Sequence, residues 1–178
     1  MKKAKEDFDI KLKQLKVKME EDFVPCKTIE FTGSSYEGLK ITGDGLEFDV
    51  MLLLNGGDKL KAESIIDEEG FSHLLTKENV AYHPVISKCL QNDVVSSKKF
   101  KDKFKGIVQT FITDYHKDTV RMIEHGPAIQ IDVSKSASSQ GIWYSVDLLS
   151  AFEVGKMRYL VLLHLNLFSI FELLGIKI

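Results

Sequence analysis

GSSYEGLKITGDGLEFDVMLLL, residues 33–54, is the stretch on which the reading of this chain turns. Its second half, LEFDVMLLL at 46–54, alternates polar and apolar and then runs continuously apolar. That is the pattern of a strand entering a core. Residues i and i+2 of a strand point to one side, so Glu47 and Asp49 share a face while Phe48 and Val50 share the other. Two neighbouring carboxylates repel when both are ionised, unless a cation sits between them. A hard divalent ion that prefers oxygen, such as Mg²⁺, suits the pair. The plainer alternative is a solvated outer face of a sheet.

A third carboxylate would complete a two-metal site, and Asp147 is the best candidate. It lies in IWYSVDLLSAF, residues 142–152, a second alternating run. There Trp143, Ser145 and Asp147 face one way and Tyr144, Val146 and Leu148 the other. If the two strands are neighbours, three carboxylates converge. Metal ions held in this way activate an attacking hydroxyl and stabilise a leaving pyrophosphate. Asp132, in AIQIDVS at 128–134, is a rival for the third position and is expected at the surface.

Upstream, Gly33, Ser34 and Ser35 form a small-residue turn. At a helix N-terminus such residues leave backbone N–H groups open to phosphate, and serine adds hydroxyl donors. Turns of this composition are common by themselves. A phosphate cradle just before an acid pair is, however, the combination that nucleotidyl transfer from a nucleoside triphosphate requires.

The rest of the chain supplies a scaffold. Its 178 residues, 44% hydrophobic and 28% charged, suffice for one domain with a core or for one lobe of a larger protein. A net charge of -2 excludes a global field for polyanions, so any basic site is local. Cys26 and Cys89 have neither zinc spacing nor a disulfide framework and read as reduced, buried thiols of a cytoplasmic protein. The N-terminal MKKAKEDFDIKLKQ has no apolar run behind its lysines and is not a secretory signal.

Residues 5–23 read as a helix, with Phe8, Leu12, Leu15, Met19 and Phe23 on one side and Pro25 as its stop. Gly43, Asp44 and Gly45 break the segment before the first acid strand, and Asn55, Gly56 and Gly57 mark that strand's exit. Residues 60–95 read as short strands and loops. Residues 98–126 read as a second helix, with an apolar face of Phe100, Phe104, Ile107, Val108, Phe111 and Tyr115. Lys98, Lys99, Lys101, Lys103 and Lys105 crowd its start, a candidate nucleic-acid contact whose plain alternative is a solvated helix face. The runs at 128–134 and 142–152, around a serine-rich turn, read as a hairpin. There are no internal repeats.

From Gly155 the composition shifts. YLVLLHLNLFSIFELLGI, residues 159–176, is almost wholly apolar, yet it contains His164, Asn166 and Glu172. Each is costly in a membrane, so a buried helix is the milder reading. A retained intron or gene-model error would also produce so abrupt a change. The expected division is therefore a catalytic lobe at 1–154 and an apolar tail, native or not, at 155–178.

The residues that carry the acids also carry a resemblance. Gly33, Ser34, Tyr36, Glu37, Gly38, Lys40, Ile41, Glu47, Phe48, Asp49 and Val50, followed by GPAIQIDVS and YSVDLLSAF, resemble a known nucleotidyltransferase domain. It is the domain shared by cyclic GMP-AMP synthase, the cyclic GMP-AMP synthase-like receptors and the male-abnormal (Mab) developmental family. The likeness spans roughly residues 5–154. It implies an α+β fold: a polymerase-β-like core of mixed sheet and helices with a long N-terminal spine helix. It implies Glu47, Asp49 and Asp147 as Mg²⁺ or Mn²⁺ ligands, and Gly33, Ser34 and Ser35 beside the triphosphate. It further implies ATP and GTP as substrates, a cyclic dinucleotide as product, and double-stranded RNA or DNA as activator in innate immune sensing.

Two departures stand out. The second helical lobe that closes the nucleotide cleft in the family is expected to be missing after Asp147, and no His/Cys cluster resembles the vertebrate zinc insert. The competing readings are a non-catalytic nucleotide-binding scaffold of the same fold and an inactive fragment.

Overall fold

In a computed structural model the two alternating runs become adjacent strands of one sheet. The structure describes residues 2–32, 46–65, 72–125, 128–138 and 141–160. In chain order these form α1 (Lys2–Asp22), β1 (Cys26–Thr32), β2 (Leu46–Leu54), a 3-10 turn (Gly57–Lys59), β3 (Leu60–Ser64) and β4 (Ser72–Thr76). There follow α2 (Pro84–Lys88), β5 (Leu90–Gln91), β6 (Val94–Val95), α3 (Ser97–Phe111), a π-helical turn (Ile112–His116), β7 (Val120–His125), β8 (Ala128–Ser134), β9 (Ile142–Val154) and β10 (Met157–Leu160). The Gly-Ser-Ser turn, the Gly43 to Gly45 break and the apolar stretch from 161 onward lie outside the described residues.

The main sheet runs β1-β2-β9-β8-β7, with β10 also paired to β9. β2 and β9 are parallel and the other pairs antiparallel, so the sheet is mixed as expected. A parallel pair needs a long crossover. Here the crossover carries the smaller sheet β3-β4-β6-β5, both later helices, β7 and β8. The β8–β9 hairpin forms as its alternation predicts. Past Gly155, in the left-handed region at φ 64°, the chain folds back and β10 extends the sheet along β9.

The core lies between one face of this sheet and the helices. α1 buries Phe8, Leu12, Leu15 and Met19, and Phe23 beyond its end is also buried. The helix stops three residues before Pro25, whose ring restricts the residue preceding it. Phe8 stacks flat on Phe48 of β2, ring centres 4.5 Å apart, and meets Tyr144 of β9 edge-on. The wholly buried Tyr144 donates its hydroxyl hydrogen bond to Asp7 Oδ2 at 2.6 Å, and Lys11 Nζ donates to both Asp7 oxygens at 2.8 Å. Burial opposes ionisation of Asp7, but the hydrogen bonds from Lys11 and Tyr144 hold its carboxyl below the ordinary value. α3 sets Phe100, Phe104, Val108 and Phe111 into the same core.

The second helix is shorter than its sequence suggests. It ends at Phe111, passes through the π-helical turn, and residues 120–125 form a strand instead. Val120 is buried, Arg121 exposed and Met122 half-buried, a period of two that outweighs the helical spacing upstream. Tyr115, expected in the apolar stripe, is 50% exposed because the wider π turn rotates it away from the core. Cys26 and Cys89 are both free and buried.

One glycine at the exit of β2 is sterically required. A Cβ on Gly57 would run into the carbonyl oxygen of Glu153 on β9. Gly57→Ala is expected to lower unfolding stability by about 2 kcal/mol, since overpacking forces backbone shifts. Urea unfolding measures this; a variant as stable as the parent would contradict the close approach.

Candidate functional site

β2 presents Phe48, Val50, Leu52 and Leu54 to the core, and this burial turns Glu47 and Asp49 to the opposite face. β9 does the same: Tyr144, Val146 and Leu148 are buried, so Trp143, Ser145 and Asp147 project with the acids. The parallel register then brings the carboxylates together. Asp49 is the register partner of Asp147, and Glu47 that of Ser145. Adjacent strands lie about 4.8 Å apart, so these side chains emerge side by side.

Two lateral rows result. One reads Asp49, Asp147, Gln130; the other reads Glu47, Ser145, Asp132, Arg121. Further along the same face Met51, Leu53 and Ala151 are buried together. The face is therefore not simply a water-facing side of the sheet. Glu47 is exposed, Asp49 and Asp147 are half-buried, and Asp147 Oδ1 is shut off from solvent. Burial, reinforced by the charges of Asp147 and Glu47, pushes the Asp49 carboxyl up to about 6.

Among the described residues no three or more His, Cys, Asp or Glu side chains are gathered closely enough to hold a metal ion as they stand. The fit to a cation rests on the donor set. Glu47, Asp49 and Asp147 offer hard carboxylate oxygens from adjacent strands, which suit Mg²⁺ or Mn²⁺. Burial lifts Asp49 most, and the repulsion from Asp147 and Glu47 that adds to it is the part a cation would reverse.

Asp132 is not the surface residue its sequence suggests. It is 8% exposed, and its Oδ1 accepts hydrogen bonds from Ser145 Oγ at 2.8 Å and Gln130 Nε2 at 2.9 Å. The only sequence signal was its place in the alternating run IQIDV; the pairing that buries it is a property of the sheet. Asp132 and Asp147 thus share a face, and only Asp147 is the direct neighbour of Asp49.

The lysine cluster lies behind the sheet. Lys98, Lys99 and Lys103 are exposed on α3 and Lys101 and Lys105 half-buried, while the apolar stripe of α3 packs on the face opposite the acids. Burial and the neighbouring Lys105 hold the Lys101 ammonium below its ordinary value. Gly33, Ser34 and Ser35 fall outside the described residues. Among the described residues no helix is long and apolar enough to cross a membrane.

A mixed sheet with paired acids on one face and a long helix across the other agrees with the α+β core and spine helix that the resemblance implied. The model of the Mab-21 protein nucleotidyltransferase domain matches residues 35–159, which include Glu47, Asp49, Asp132 and Asp147. By fold and sequence, then, the chain is of the nucleotidyltransferase class. It belongs to the Mab-21 nucleotidyltransferase family. Cyclic GMP-AMP synthase-like receptor 3 of Stylophora pistillata is 29% identical over 146 residues, which cover 76% of this chain and 41% of that protein. The chain thus spans less than half the length of this curated relative. The family generally uses divalent metal ions.

The raised Asp49 carboxyl has a measurable consequence without metal. Folded, it keeps its proton to about 6, against 3.8 for an ordinary aspartate. Between those values the folded state binds more protons than the unfolded chain, so stability falls as pH rises through that window and then levels. Asp49→Asn should remove this loss. In chelator above about pH 7 the variant is expected to exceed the parent by on the order of 1 kcal/mol, after allowance for solvent screening at a half-exposed site. The advantage should vanish near pH 4. Urea unfolding across this range tests it, and parallel pH profiles would refute the assignment.

Proposed function

We propose that this chain is the catalytic lobe of a metal-dependent nucleotidyltransferase that joins ATP and GTP into a cyclic dinucleotide, in cytoplasmic innate sensing of nucleic acid. The observation that carries the reading is the parallel register of Asp49 with Asp147, with Glu47 on the same face. A binding module has no need of three carboxylates on one face, one of them resisting ionisation through burial and its neighbours' charges. The name of the Stylophora pistillata relative, a cyclic GMP-AMP synthase-like receptor, supports the choice of product.

In this reading Glu47, Asp49 and Asp147 are the ligands of Mg²⁺ or Mn²⁺. The bound ions supply Lewis acidity toward the attacking hydroxyl and the departing pyrophosphate. The carboxylates fix where the α-phosphate sits, and Gly33, Ser34 and Ser35 hold the remaining phosphates through backbone N–H and hydroxyl groups. A ribose hydroxyl oxygen forms the new bond to phosphorus as the bond to pyrophosphate breaks, and the hydroxyl proton passes to a base. The lysines at 98, 99, 101, 103 and 105 form the face for a double-stranded RNA or DNA activator.

The test uses the longest natural form of the protein with ATP, GTP, Mg²⁺ or Mn²⁺ and a panel of double-stranded RNA and DNA. Wild type is expected to yield a cyclic dinucleotide, and Glu47→Ala with Asp49→Ala to reduce product to background while the thermal melt stays cooperative. Product from the double variant would overturn the acid assignment. Nucleotide binding by wild type without turnover under every ligand would replace the enzyme reading with a nucleotide-binding scaffold.

A further inference from the structure

Asp132 is a buried carboxylate to which the proposed chemistry assigns no task. Its surroundings suggest one. Both side chains that donate to its Oδ1 are immediate neighbours of Asp147. Ser145 precedes Asp147 by two residues on the same face of β9, and Gln130 is the register partner of Asp147 on β8. A single carboxylate oxygen therefore fixes the hydroxyl and the amide that flank Asp147 on two sides.

From this geometry we infer that Asp132 is a positioning residue for the cation site, acting by keeping the Gln130 amide away from Asp147. The inference rests on the reading of Asp147 as a metal ligand. Directly opposed side chains on antiparallel strands have Cβ atoms about 5 Å apart, so a glutamine amide can reach the carboxylate across from it. Gln130 does not turn that way, because its Nε2 donates at 2.9 Å to Asp132 along its own strand. A charged acceptor holds an amide donor more firmly than a neutral one. Ser145 poses no such threat. Residues i and i+2 on a strand are separated by roughly 6.6 Å, beyond what a serine side chain spans. Its bond to Asp132 steadies the anchor.

With Asp132 truncated, the Gln130 amide would lose its acceptor, and the nearest carboxylate would be Asp147. A bond there would compete with a cation for the same oxygens. Groups that orient metal ligands typically matter by about ten- to a hundredfold in metal affinity. The prediction also carries a signature that general destabilisation lacks. Removing the amide as well should restore the site, since the competing donor is then gone.

Mn²⁺ binding to the whole chain, read by electron paramagnetic resonance with nucleotide absent, tests this without reference to turnover. Asp132→Ala should weaken Mn²⁺ binding about tenfold. Asp132→Ala with Gln130→Ala should return to within about twofold of wild type. Asp132→Asn keeps the shape and guards against a folding failure; it should fall between the two. Unchanged affinity in Asp132→Ala, or a double variant as weak as the single one, would overturn the positioning role while leaving the metal site intact. Wild type that binds no Mn²⁺, or binds it equally well as Asp49→Asn, would overturn the metal reading itself and the inference with it.

Discussion

One turn of α1 holds both acid strands in place. Phe8 stacks on Phe48 of β2, and its neighbour Asp7 accepts the hydroxyl hydrogen bond of Tyr144 on β9. Phe48 lies between Glu47 and Asp49, and Tyr144 lies just before Ser145. Because strand side chains alternate, fixing these two rings to the core face obliges the acids to take the other. A slip of one residue in either strand would bury the carboxylates and expose the rings. The aromatic cluster thus sets the orientation of the front face from behind. It does so with a contact worth more than its area alone, since aromatic pairs add about 1 kcal/mol to what burial provides.

That front face groups like charges, and each is accommodated differently. Glu47 keeps its hydration by remaining exposed. Asp132 gives up solvent and accepts hydrogen bonds from Ser145 and Gln130 instead, the usual condition for burying a polar group. Asp49 sits between, half-buried beside Asp147, and responds by holding its proton to a higher pH. A fold selected only for stability would not arrange its carboxylates this way. Local conflicts of this kind are expected where function is placed, with the cost offset by packing elsewhere. Here the offset is the core beneath the same strands, where Val50, Leu52, Val146 and Leu148 are all buried.

Much of this was legible in the residues themselves. The alternation in 46–54 and 142–152 gave both acid strands and the side on which each residue lies. The 3.6-residue spacing of Phe8, Leu12, Leu15 and Met19 gave α1. What local pattern could not give was pairing. That β2 runs parallel to β9 with Asp49 beside Asp147 depends on a crossover of many residues. The burial of Asp132 likewise depends on which strand lies next to it. Residues 120–125 read as a continuation of the helix because Val120 and Ile123, three residues apart, fit the helical period, whereas the strand buries Val120, half-buries Met122 and exposes Ile123. The π turn at 112–116 is where the periodicity changes.

β9 connects these layers. Its Tyr144 is bonded to α1, its Phe152 packs edge-on against Phe100 of α3, and between them Ser145 and Asp147 look out of the opposite face. The lysines of α3 lie behind the sheet, so a polyanion held there does not touch the carboxylates. The physical route from one face to the other runs through Phe100, Phe152 and the backbone of β9. Protein interiors are packed as densely as organic crystals, so a shift of α3 against the sheet must be taken up by the rings it rests on. Asp147 lies on the strand that receives such a shift, five residues before Phe152. The strand that carries this carboxylate is therefore held from behind by both helices, through Tyr144 and Phe152.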